Sequence, residues 1–183
     1  MVRNPYAKAI EIVKRVLKGF DYVMIGAQAV NAWVIDEDKV RATRDIDFLL
    51  DAPEESAMNI CQKFRDAGYT AHLRMGKKSD EIPLYIRLTS DIYPQIDIVF
   101  ALKQWEKRIV KKGKMLRDFN VKISSIEDLI VLKIAAGSDN DLLDIKNLMT
   151  DRRADINLRF IKKRILKIDK NLLERLKPLI HQF

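Results

Sequence analysis

The sequence predicts an α/β (α+β) fold, a mixed sheet flanked by helices and followed by a helical C-terminal part. Three observations point to it. A short apolar run, Tyr22-Val23-Met24-Ile25, ends in Gly26 and passes into a helical pattern. Strand-like segments bunch between residues 69 and 100 instead of alternating steadily with helices, which predicts a partly antiparallel sheet. From residue 124 onward every segment has helical periodicity. The expected division is an α/β core over 1–123 and a helical subdomain over 124–183.

In chain order, residues 7–18 carry Ile10, Val13 and Leu17 on one helical face, and Gly19 is placed to end that helix. Residues 22–25 read as a strand buried on both faces, and Ala27 to Val34 as the helix after it. Ile46-Asp47-Phe48-Leu49-Leu50 reads as a second strand. Asp51 and Pro53 then have the order of a polar cap and a first-turn proline, for a helix running to Ala67 and stopped by Gly68. Strands are expected over 69–74, 84–88 and 92–100, with a polar turn at 75–81 around Gly76. Residues 103–110 read as a short helix, and 115–123 as two extended segments around a turn. Ser124-Ser125-Ile126-Glu127-Asp128 holds two overlapping capping boxes. Helices follow over 126–136, 141–149, 155–166 and 170–180, with Asp155 and Asp169 as expected N-caps of the last two.

Composition bounds the function. With 48% apolar and 33% charged residues, the 183-residue chain can fill a core and solvate its surface. No run of 18 apolar residues exists, and the N-terminus shows no signal-peptide pattern, so a cytoplasmic protein without membrane contact is expected. Cys61 is the single cysteine, which excludes an internal disulfide and a thiolate cluster; between Ile60 and Phe64 it reads as a buried structural thiol. His72 and His181 are the two histidines and stand far apart, without the company of a zinc site. A net charge of +8 favours a polyanionic partner, although a solvated helix face explains the basic stretch Arg159–Arg164 equally well.

The acidic residues carry the chemistry. Asp45 and Asp47 are two apart on an extended segment, so both emerge on one face while Ile46, Phe48 and Leu50 turn to the other. Neighbouring carboxylates repel by roughly 0.2–1 kcal/mol when exposed, a cost that a hard divalent cation removes. Asp97 repeats the pattern between Ile96 and Ile98. Any one such acid also reads as ordinary solvent-facing surface; if the two strands are neighbours, three carboxylates converge. Gly26, 19 residues before Asp45, lets an anion approach the main chain at a strand-to-helix turn. Tight packing of turn on sheet is the alternative explanation of that glycine.

Gly26-Ala27, Asp45-Ile46-Asp47 and Asp97 together resemble the signature of the DNA-polymerase-β-like nucleotidyltransferase superfamily. More narrowly, Arg41-Ala42-Thr43-Arg44-Asp45-Ile46-Asp47 resembles the R-x-T-x-D-I-D stretch of the AbiEii/AbiGii-type nucleotidyltransferases, small prokaryotic proteins that include toxins of toxin–antitoxin pairs. Glu127 to Lys133, followed by Asp141-Leu142-Leu143-Asp144, resembles that family's helical motif. The family usually has glycine or serine where Ala27 stands, and the arginine often found before Asp141 is absent here. The resemblance implies a nucleotidyltransferase fold and transfer of a nucleotide from an NTP to an acceptor hydroxyl. It implies two Mg²⁺ ions (or Mn²⁺) held by Asp45, Asp47 and Asp97, with Asp97 as general base or nucleophile-side ligand. Gly26 and Ala27 would hold the β and γ phosphates, and Lys133 would neutralise charge on the triphosphate. Arg44, with Arg41, would contact phosphate or pair with the neighbouring acids. The acceptor stays open among an RNA such as tRNA, a protein side chain and a small molecule such as an antibiotic. A cognate toxin or antitoxin protein is the implied partner, and a catalytically inactive binding module is the competing reading.

Overall fold

The computed structural model describes residues 4–77, 80, 82–116 and 120–181. Lys78, Ser79 and Glu81 of the expected turn at 75–81, and residues 117–119 of the expected turn within 115–123, lie outside the described residues, as does the side chain of His181. Residues 1–28 with 43–124 form one compact unit, and residues 29–42 with 125–183 form a second. No helix among the described residues is long and apolar enough to cross a membrane.

The first unit is built on a seven-stranded mixed sheet. Its strands are β1 (Asp21–Ile25), β2 (Asp45–Asp51), β3 (Thr70–Met75), β4 (Leu84–Thr89), β5 (Gln95–Phe100), β6 (Lys114–Leu116) and β7 (Val121–Ile123), in the order β3-β4-β5-β2-β1-β7-β6. The β2–β5 and β1–β7 pairs are parallel and the rest antiparallel. Alternation along the central strands produces two unlike faces. Ile46, Phe48 and Leu50 of β2, Ile96, Ile98 and Phe100 of β5, and Ile86 and Leu88 of β4 are all buried. The helices α1 (Pro5–Val16) and α3 (Ala57–Asp66) complete the core, with Ile60, Cys61 and Phe64 of α3 buried. On the opposite face, α4 (Gln104–Lys112) packs on β1 and β2, and Val23, Leu49, Ile109 and Val110 are all buried. Beyond α4 that face is polar and open.

Several boundaries differ from expectation. The strand expected from Ile92 begins at Gln95, because the Ser90 hydroxyl accepts from the N–H groups of Ile92 and Tyr93 and closes a turn before Pro94. Asp51 does not cap a helix: it is the last residue of β2, and its carboxylate pairs with Lys107 at 3.3 Å. A 3₁₀ turn over Glu54–Ser56 precedes α3. The helix after Gly26, α2 (Gly26–Asn31), is shorter than 27–34. Asn31 instead clamps the main chain of Arg41, donating to its carbonyl at 2.8 Å and accepting from its N–H at 3.1 Å.

The second unit contains α5 (Ile126–Ala136), α6 (Asp139–Asp151), α7 (Leu158–Ile168) and α8 (Leu172–His181). Leu129, Ile130, Ile134, Ile145, Leu148, Ile161 and Ile165 fill its core. Of the two candidate boxes, Ser125 caps α5, accepting from the Asp128 N–H at 3.2 Å. Ser138 and Asp141 form a capping box on α6. Asp155 is not the cap of α7; it ends a 3₁₀ turn and pairs with Arg152, while Asn157 accepts from the Phe160 N–H at 3.0 Å. Asp169 accepts from the Asn171 N–H just before α8.

Candidate active site

The site is a consequence of strand register. β2 and β5 run parallel with Asp47 opposite Asp97 and Asp45 opposite Gln95. Residues directly paired across neighbouring strands share a face, so Asp45, Asp47 and Asp97 all stand on the face opposite Ile46, Phe48 and Ile98. The adjacency on which their convergence depended is therefore present. Continuing outward, β4 places Arg87 opposite Asp97, and β3 places His72 opposite Arg87. One row across the sheet thus reads Asp47, Asp97, Arg87, His72.

Gly26 sits at the end of β1 with φ +68°, a left-handed conformation that favours glycine. A Cβ there would collide with the Asp47 carboxylate, lying 2.7 Å from its Cγ. The missing side chain is the space that Asp47 uses. Ala27, next in the chain, is buried.

Asp97 is held by Arg87, an arginine that the motifs do not include. Arg87 Nε donates to Asp97 Oδ1 at 2.9 Å and Nη2 donates to Oδ2 at 2.8 Å, a two-pronged pair. Gln95 also donates to Oδ2, at 3.4 Å. The hydrogen bonds and charge of Asp97 hold the Arg87 guanidinium more firmly protonated than usual. The Arg87 guanidinium also lies 5.6 Å from the centre of the Tyr85 ring, with Arg74 5.9 Å from the same ring. These residues line an open cleft of about 380 Å³ with Asp47, Asp80, Ile82, Asp97 and Val99. The signal available in the sequence was the alternation Leu84-Tyr85-Ile86-Arg87-Leu88, which places Tyr85 and Arg87 together on one face. Which face that is depends on the pairing register.

The remaining candidates are placed separately. Arg44 is exposed and has no ion-pair partner among the described residues. Arg41 lies in the second unit, where its guanidinium meets Asp144 at 3.2 and 3.3 Å. Lys133, in that unit, is nearly buried, with Nζ 2.8 Å from Asp141 and 2.7 Å from the fully buried Asp144. Two cations and two carboxylates balance there. Burial alone would raise the Asp141 carboxyl, but hydrogen bonds from Lys133 and Ser138 with the Lys133 charge outweigh it and hold it below the usual carboxylate range.

The donor set suits a hard divalent cation, since all three groups are carboxylates. Among the described residues no three His, Cys, Asp or Glu side chains are grouped so as to hold a metal ion. The Asp97 carboxylate is turned to Arg87 and that of Asp47 rests against Gly26, so closing the set needs side-chain rotation and leaves the strands as they are.

A family model described as "Nucleotidyltransferase of unknown function (DUF6036)" matches residues 6–178. No curated protein matches the chain in sequence. Among solved structures, the chain is similar to an antigenic nucleotidyltransferase-like protein from Paracoccidioides brasiliensis, with a TM-score of 0.59 and 13% identity over 96% of this chain and 87% of that one. It is similar to the lincomycin-bound lincosamide antibiotic adenylyltransferase LnuA, with a TM-score of 0.51 and 20% identity over 78% of this chain and 94% of that one. Similarity extends to the Megavirus polyadenylate synthase, with a TM-score of 0.51 and 14% identity over 82% of this chain; the chain spans 33% of that protein's length. At these identities the likeness shows the fold, and the nucleotidyltransferase fold is the one the sequence motifs implied.

Proposed function

Because the chain belongs to the DUF6036 family of nucleotidyltransferases, we propose that it moves a nucleoside monophosphate from an NTP to an acceptor hydroxyl at the acidic face of the first unit. The observation that carries this reading is the in-register placement of Asp47 and Asp97, with Asp45 two residues earlier on the same face. Asp45, Asp47 and Asp97 are the residues proposed to hold Mg²⁺, or Mn²⁺ in its place, with Asp97 on the acceptor side. When bound, the divalent ions supply charge neutralisation on the triphosphate and acidify the attacking hydroxyl.

The chain's own residues then have distinct tasks. Gly26 borders the Asp47 carboxylate, and the main chain at Gly26 and Ala27 offers N–H groups to the β and γ phosphates. Arg44, exposed one residue before Asp45, supplies a cation to the triphosphate. Asp97 orients the acceptor hydroxyl and takes its proton as the oxygen attacks the α phosphorus. The new O–P bond forms as the bond to the β-phosphate oxygen breaks, and pyrophosphate departs with that electron pair.

The net charge of +8 and the basic stretch Arg159–Arg164 favour RNA as the acceptor, and tRNA is the RNA to test first. The R-x-T-x-D-I-D stretch favours a role in a toxin–antitoxin pair. Incubating the purified protein with Mg²⁺, total tRNA and each NTP labelled at the α phosphate tests the acceptor directly. Label in the RNA with at least one NTP supports it; unlabelled RNA with all four rejects it.

The pairing of Asp97 with Arg87 favours a second reading, a catalytically silent binding module that keeps the fold. Such a module would show no Mg²⁺-dependent ATP binding in calorimetry.

A further inference from the structure

We propose that Arg87 occupies Asp97 in place of a cation, and that it is a positioning residue whose displacement couples metal entry to the arrival of the triphosphate. The proposal rests on the reading of the acidic face as a metal and nucleotide site. Both oxygens of Asp97 already accept from the guanidinium, at 2.9 and 2.8 Å. A cation approaching the same carboxylate meets a full positive charge at contact distance, where repulsion is strong even in partly solvated surroundings. Guanidinium and metal therefore compete for Asp97.

The two partners are unequally free to move. The Asp97 side chain is 15% exposed and lies on a central strand, whereas that of Arg87 is 47% exposed and borders the cleft. The arginine is the partner that turns away. The Tyr85 ring supports the guanidinium through that movement, since it already lies 5.6 Å from the guanidinium carbon. A bare metal ion gives Arg87 no new anion, so it has to break the pair without compensation. A triphosphate entering with the metal brings anionic oxygens to the cleft and gives the arginine another partner. Metal alone then binds weakly, and metal and nucleotide bind with positive coupling, which thermodynamic linkage requires to be reciprocal.

Calorimetric titration of the full chain with Mn²⁺, with and without a non-hydrolysable ATP analogue, tests this in wild type, Arg87→Gln, Asp97→Asn and the double variant. Arg87→Gln is expected to tighten Mn²⁺ binding without nucleotide by about 10-fold, within the usual span of coupling between sites. The gain in Mn²⁺ affinity caused by the analogue, present in wild type, is expected to shrink in the same variant. Adding Asp97→Asn is expected to erase the effect of Arg87→Gln, so that the double variant binds Mn²⁺ like Asp97→Asn alone. Should Arg87→Gln fold poorly, Arg87→Lys keeps the charge without the two-pronged geometry, and its Mn²⁺-induced rise in Tm is expected to exceed that of wild type. Mn²⁺ affinity unchanged or weakened by Arg87→Gln, with Asp97→Asn still weakening wild type, overturns the competition and leaves the metal reading standing. Mn²⁺ binding indifferent to Asp97→Asn, with or without Arg87→Gln, overturns the two together.

Discussion

Asp47 and Gly26 occupy each other's space: the carboxylate fills the volume that any side chain at position 26 would take. Strand pairing brings them there, since Ile25 is opposite Asp47 and the chain turns immediately afterwards with φ +68° at Gly26. The glycine thus serves the acid as well as the turn.

Gly26→Ala is expected to lose about 2 kcal/mol or more in urea denaturation, from the left-handed conformation together with the collision. It should also lose nucleotide binding, because Asp47 must rotate away. Gly19 provides the control. It too has positive φ, at +96°, but a Cβ there would meet nothing within 4 Å. Gly19→Ala should cost only about 1 kcal/mol and leave binding intact. Equal effects at the two positions would remove the special link between Gly26 and Asp47.

Tyr69 is 3% exposed, and its hydroxyl is buried without a hydrogen-bond partner among the described residues. The ring itself packs well, edge-on to Phe64 at 6.1 Å and tilted to Tyr93 at 5.6 Å. Burial pushes its phenol far above the ordinary value, with the neighbouring Tyr93 adding to it. Tyr69→Phe keeps the packing and removes the unpaired hydroxyl, so it should raise stability by about 1 kcal/mol. A thermal melt shifted downward would show that the hydroxyl is satisfied in solution.

Lys133 links Asp141 and the buried Asp144, and removing one member of such a group leaves charge uncompensated. Lys133→Met should therefore destabilise by about 3 kcal/mol. The pH dependence has a defined sign. The Asp141 carboxyl is held below its unfolded value, so its contribution is complete above about pH 4. It declines as pH falls below that value and disappears once pH passes below the folded-state value. Urea denaturation of wild type and Asp141→Asn from about pH 6 down to about pH 2.5, a span that brackets the ordinary carboxylate range, should show a stability gap that closes towards the acid end. A gap that widens in acid contradicts the assignment.

The acidic pair was legible because its information is local: alternation in Asp45–Leu50 divides the faces without reference to any other strand. The helical C-terminal part was legible for the same reason, through periodicity and capping residues. Elsewhere two local signals competed. Pro94 and the Ser90 hydroxyl delayed β5, and Asn157 capped α7 although Asp155 stood nearby. Arg87 could not be read from sequence, since its meeting with Asp97 depends on the pairing of β4 with β5. Likewise, the burial of Asp144 against Arg41 joins residues 103 apart in the chain, beyond the reach of any motif.

Binding of nucleotide by Asp45 and Asp47 through a divalent cation is tested most directly by calorimetric titration with an ATP analogue. Wild type should bind the analogue in the presence of Mg²⁺ or Mn²⁺ and lose that binding when the ion is chelated, while folded Asp45→Asn and Asp47→Asn should not bind it under either condition. Binding that survives chelation and both substitutions would contradict the role given to the two acids.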